Sequence, residues 1–112
     1  MNIGALEQQV LMAVVALHPD AYGISIQDHI RLRTGHQHSI GSIYAALDRL
    51  GEKGLVRSRL GESTPERGGR RKLYVTVTAS GQATLQESLR AIASMQRGLR
   101  WREAFRLVEV IP

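Results

Sequence analysis

Residues 39–56 read SIGSIYAALDRLGEKGLV, and the spacing of their apolar side chains decides how the rest of the chain is read. Ile43, Ala46, Leu47 and Leu50 recur at three- and four-residue intervals, which lines them along one side of a helix. Ser39 stands just ahead of that run, where its hydroxyl can accept a backbone N–H of the first turn, and Gly54 behind it supplies a stop. The opposite side carries Ser42, Tyr44, Ala45, Asp48, Arg49 and Glu52. Such a face is polar without being uniformly charged, as expected of a surface that reads something.

Toward the N-terminus, Leu6, Val10, Ala13, Val14 and Leu17 share one face of a helix starting near Ile3 and ended by His18-Pro19-Asp20. A second helix is expected from about Tyr22 to Arg33, with Ile26 and Ile30 one turn apart and Thr34-Gly35 as its stop. Toward the C-terminus, Leu55 to Leu60 and Lys72 to Val77 alternate as strands around the polar loop Gly61 to Gly69, which predicts a β-hairpin. Thr78 can cap a last helix, whose Leu85, Leu89, Ile92, Gln96 and Leu99 follow a coiled-coil spacing with one polar interruption. Beyond Gly98 the stripe shifts to Trp101, Phe105 and Val108, so the helix is expected to bend or restart there. The order of three helices, two strands and a helix predicts a mainly α fold with a small β-hairpin. We read it as a winged helix-turn-helix domain over 1–78 followed by a C-terminal dimerisation helix over 79–112.

Composition narrows the function. A chain of 112 residues has the size of one domain, and so small a body leaves much surface uncovered unless it associates. Arginine supplies 13 of the 15 basic residues, and its planar fork suits phosphate and guanine edges. The charge is uneven: residues 1–30 carry −3, residues 31–78 carry +6 and residues 79–112 carry +2. An anion-binding site is therefore expected in the middle of the chain. Cysteine is absent, which excludes disulfides, thiolate metal sites and cysteine nucleophiles. The longest apolar run, Val10 to Leu17, is too short to span a bilayer, and we expect a cytoplasmic protein without a membrane partner.

At specific positions the chain resembles the PadR-like transcriptional regulators. The resemblance rests on Leu6-Glu7, Tyr22-Gly23, Ser39 to Leu47, Leu50 to Val56, Gly69 to Tyr74 (GRRKLY), and Thr78 with Gly81, all in the family's order and spacing. Ala45 stands where the family commonly has Pro, and Ala79-Ser80 where it often has acidic residues. The resemblance implies a dimeric repressor or activator that uses its third helix for recognition and its last helix for dimerisation.

Candidate DNA contacts are Ser39, Ser42, Tyr44 and Arg49 at or near the exposed start of the third helix, and Arg67, Arg70, Arg71 and Lys72 around the Gly68-Gly69 tip. Arg70 and Arg71 rank above Lys72, because alternation points only some of these side chains outward. Ser39 is expected to cap its helix in any case. Leu85, Leu89, Ile92 and Leu99 form the expected dimer seam. Some relatives place aromatic residues of this helix around flat apolar effectors, so Trp101 and Phe105 are candidates for such a pocket, with plain core packing as the simpler alternative. His36 and His38, with His29 nearby, form too weak a pattern for a metal site, and no cofactor is expected. There is no nucleotide-wrapping glycine loop and no Ser-His-acid set with motif support, so the chain reads as a non-enzyme. The rival reading is a winged-helix module for protein assembly without sequence-specific DNA binding.

Overall fold

The computed structural model describes residues 2–62, 71–101 and 103. Its elements are α1 (Ala5–Leu17), α2 (Gly23–Thr34), α3 (Ile40–Glu52), β1 (Val56–Leu60), β2 (Leu73–Val77) and α4 (Ala79–Arg97). The architecture is mainly α with one antiparallel hairpin, the winged helix-turn-helix expected from the sequence.

Each helix begins and ends for a local reason. α1 starts two residues after Ile3, because the Glu7 carboxylate accepts the Gly4 N–H at 3.0 Å and sets the first turn there. Its end follows from Pro19, which biases His18 toward extended backbone, and His18 has ψ 132°. Tyr22 flanks α2 as its N-cap, with its N–H donated to the Ser25 hydroxyl at 2.9 Å. At the other end Gly35 takes φ 77°, a left-handed conformation open to glycine, and its N–H reaches the Arg31 carbonyl at 2.8 Å. Ser39 caps α3 as expected, accepting the Ser42 N–H at 3.1 Å.

The core is one cluster. Val10, Leu11 and Val14 of α1, Ile26 of α2, Ile43 and Leu50 of α3, Leu55, and Val75 of β2 are essentially inaccessible. Burying a side chain of this size stabilises the fold by roughly 1.5–3 kcal/mol, so α1, with neighbours on several sides, is the element the domain is built around. The hairpin adds Val56 and Val75 to this core from one face. Its register pairs Val56 with Val77 and Arg59 with Tyr74. β2 is also held on its far edge, where Val75 donates its N–H to the Ala21 carbonyl at 2.8 Å.

The seam predicted along the last helix needs a correction at its first member. Leu85 is only 7% exposed and belongs to the domain core, whereas Leu89 and Ile92 are 37% and 45% exposed. The first turns of α4 lie against the winged domain: Gly81 is buried, and Gln8 donates to the Ser88 hydroxyl at 2.7 Å. A coiled-coil spacing cannot separate these cases, since a stripe looks the same whichever body covers each part of it. α4 ends at Arg97, Leu99 lies past it, and helical backbone occurs again at Trp101 and Glu103. This matches the expected break near Gly98.

One ion pair, between a buried carboxylate and a partly exposed lysine, escapes a reading of the sequence. Glu7 accepts from the Lys53 ammonium at 2.7 Å, and Lys53 also donates to the Asn2 carbonyl at 3.2 Å. Burial raises the Glu7 carboxyl, but the bonds from Lys53 and Gly4 and the nearby Arg49 charge outweigh it and hold the group below the usual carboxylate value. A carboxyl lowered by folding adds stability above its unfolded pKa, and that contribution is lost as pH falls through the folded one. Glu7→Gln should therefore cost about 2 kcal/mol at pH 7, in the range for hydrogen bonds to a charged group. In urea unfolding, the gap between it and the parent chain should close as pH falls below about 4. A gap independent of pH would show that the charge contributes nothing.

Candidate nucleic-acid interface

The outward side of α3 is made by the same periodicity that buries Ile43, Ala46 and Leu50. Ser42, Tyr44, Ala45, Asp48, Arg49 and Glu52 line that outward side, and all six are exposed. Ser39 and Ser42 open the helix, with their hydroxyls 2.9 Å apart. Arg49 does not share that end. It lies in the last turn of α3, nearly two turns beyond Ser42, where its charge is felt by Glu7. The predicted recognition set is thus spread along the helix, with the serines at one end and the arginine at the other.

Tyr44 is 46% exposed, and its ring lies over Gly23. A Cβ at Gly23 would come within 2.7 Å of three atoms of the Tyr44 side chain, so the Tyr22-Gly23 pair has a steric reason: glycine leaves room for the tyrosine of the next helix. The same contact makes Tyr44 both a packing residue and an exposed one.

Arg67 and Arg70 lie outside the described residues, as does Phe105. Arg71 is exposed just before β2. Lys72 is half-buried, with its ammonium 4.3 Å from the centre of the Tyr22 ring. That ring meets Tyr74 edge to face at 5.8 Å between centroids, and the Arg59 guanidinium sits 4.8 Å from the centre of Tyr74. Cations over aromatic faces of this kind contribute about 0.5–1 kcal/mol each at exposed sites. Lys72 is consequently held against Tyr22 at the loop end of β2.

Arg57 and Arg59 are not among the candidates that the sequence suggests, yet both are exposed and stand two apart on β1, hence on one face of the hairpin. Their signal is two arginines at strand spacing. Tyr22 and Tyr74 give no comparable signal, because they are 52 positions apart and meet only in the fold. Trp101 is 50% exposed. Among the described residues no three His, Asp or Glu side chains form a metal-binding group, and no helix is long and apolar enough to cross a membrane.

Several solved structures share this arrangement. A transcriptional regulator from Clostridium thermocellum superposes with a TM-score of 0.70 at 21% identity, covering 93% of each chain. A PadR-like transcriptional regulator from Bacillus cereus gives 0.70 at 22% identity over 95% of each chain. A PadR family transcription regulator from Clostridium difficile gives 0.70 at 23% identity, covering 84% of this chain and 93% of the other. These likenesses establish the fold. No curated protein matches the sequence. The transcriptional regulator PadR-like family matches residues 10–87, which takes in most of α1 through the first half of α4, and the chain belongs to that family of transcriptional regulators.

Proposed function

We propose that this regulator is a homodimeric repressor that binds a two-fold related DNA operator. The α3 helix enters the major groove, and the hairpin lies along the flanking phosphates. The observation that carries this reading is the pairing of an exposed α3 face bearing Ser42, Tyr44 and Arg49 with a hairpin whose described residues expose Arg57, Arg59 and Arg71. The α3 side chains are short or planar and suit base edges and phosphates; the arginines are forked donors suited to a phosphate backbone. An assembly module would have no use for a basic wing beside a recognition face.

Dimerisation is assigned to the part of α4 that the domain leaves uncovered, together with Leu99 just past its end. Leu89, Ile92 and Leu99 are 37%, 45% and 44% exposed, and Met95 joins them at 74%. A two-fold copy covering this stripe would present two α3 helices about 34 Å apart along one side of a duplex. A flat apolar effector between subunits, stacked on Trp101 and Phe105, completes the reading as a means of releasing the DNA.

Phosphate contacts leave a measurable signature. If each subunit neutralises about three phosphates, the logarithm of the dimer's affinity should fall with the logarithm of salt concentration at a slope of about −5. Arg70→Ala combined with Arg71→Ala should weaken binding to every sequence and flatten that slope. Fluorescence anisotropy on a labelled duplex across a salt series measures both. An unchanged slope in the double variant would remove the wing from the interface.

A further inference from the structure

We propose that Tyr22 is a positioning residue that sets the wing relative to the recognition helix, so that it governs DNA binding without touching DNA. The inference rests on the DNA-binding reading above and assigns a part of it to a residue outside both contact surfaces.

Residues 21–23 are shared between the wing and the recognition helix. Ala21 gives its carbonyl to Val75 of β2 at 2.8 Å. The half-buried Tyr22 places its ring between the Lys72 ammonium, 4.3 Å from the ring centre, and the edge-to-face Tyr74, 5.8 Å away. Gly23 carries the ring of Tyr44 from α3. Three successive residues therefore meet the wing twice and the recognition helix once. Their own backbone is fixed: Ser25 accepts the Tyr22 N–H at 2.9 Å and lies 2.9 Å from the Asp20 carbonyl, to which it can donate.

The other ties on the hairpin lie elsewhere. Val56 and Val75 bury the opposite face, and Leu60 and Leu73, which pair at the end of the ladder, are 58% and 46% exposed. Among the described residues, the loop end of the hairpin's arginine- and lysine-bearing face is held through the Arg59, Tyr74, Tyr22 and Lys72 stack, while Thr76, nearer the other end of that face, lies beside Val14, Val15 and His18. A two-stranded hairpin is a weak structure by itself. Without the Tyr22 ring, the Lys72 end of β2 loses its side-chain tie to α2 and swings about the Val75–Ala21 bond. The wing cations then no longer meet the phosphates in register with α3.

The test compares Tyr22→Phe, which keeps the ring, with Tyr22→Leu and Tyr22→Ala, which remove its π face. Tyr22→Leu retains apolar volume, so it serves should Tyr22→Ala fail to fold. The DNA is a duplex that the parent protein selects from a random pool. Tyr22→Leu is expected to lower affinity about tenfold and to flatten the log–log salt slope by about 1 to 2. Tyr22→Phe should stay within about twofold of the parent, the polar oxygen being dispensable for stacking.

A second readout needs no DNA. The chain lacks cysteine, so spin labels on Arg71→Cys and Asp48→Cys, in labelled chain diluted with an excess of unlabelled chain, report the distance from wing to recognition helix. Tyr22→Leu should broaden that distribution and Tyr22→Phe should not. If the parent selects no sequence, the DNA-binding reading itself fails. If the parent binds, but Tyr22→Leu keeps its salt slope and distance distribution, or Tyr22→Phe behaves like Tyr22→Leu, the positioning role is overturned.

Discussion

Replacing Gly81 with alanine is expected to destabilise the folded chain by about 3 kcal/mol, the upper end for inserting a methyl group into a packed site. The expectation comes from what surrounds the residue. A Cβ there would run into the Leu55 carbonyl oxygen and sit 2.7 Å from the Val77 side chain. Neither neighbour can retreat cheaply. The Leu55 carbonyl accepts the Thr78 N–H at 3.0 Å, and Leu55 itself is wholly buried. The start of α4 is further fixed by Thr78, whose hydroxyl donates to the Gly54 carbonyl at 2.7 Å and accepts the Gly81 N–H at 3.0 Å. For a domain of this size the loss corresponds to a fall in Tm of roughly 15 °C. Gly51→Ala is the matched control. It lies in α3, and no atom stands within 4 Å of the point its Cβ would occupy, so alanine there should be neutral or stabilising by about 0.5–1 kcal/mol. Thermal unfolding of the two variants side by side measures the difference. Equal melting temperatures would show that α4 does not depend on this close approach.

The same corner shows how far the sequence can be read. Ser39, Gly35 and Thr78 act on backbone groups within a few residues, so their roles as caps and stop follow from local order. The buried stripe of α3 is legible for the same reason, because helical period maps position onto face. What the sequence hides joins distant positions. Glu7 and Lys53 are 46 residues apart, and nothing in either neighbourhood announces the other. The spacing of Leu85 fits the expected seam, although the core reaches that far along α4 and claims it. Gly81 stands out only as part of a pattern, while its reason, the carbonyl of Leu55, exists once Leu55 and α4 are packed together.

Leu89→Glu combined with Ile92→Glu is expected to turn the protein into a monomer at micromolar concentration. Both side chains are partly exposed on one chain, so the domain should keep its fold, and its melting temperature should fall only by the stabilisation that pairing supplied. In a two-fold interface the change places four carboxylates together without partners, and an unpaired charge removed from water costs several kcal/mol. The loss should carry through to DNA. Two recognition helices joined in one body bind as a linked pair, and separating them should lower affinity for a two-fold duplex about a hundredfold or more. Sedimentation velocity with and without DNA reads both effects. A double variant that still sediments as a dimer would move the interface away from α4.

Paired α3 helices reading DNA in a two-fold arrangement are the centre of this proposal, and selection from a random duplex pool by the purified parent chain tests it most directly. The expected result is a set of enriched sequences made of two inverted half-sites whose centres lie about one helical turn, roughly 10 base pairs, apart, with two chains on each duplex. Recovery of no enriched sequence, or of one asymmetric site bound by a single chain, would contradict it.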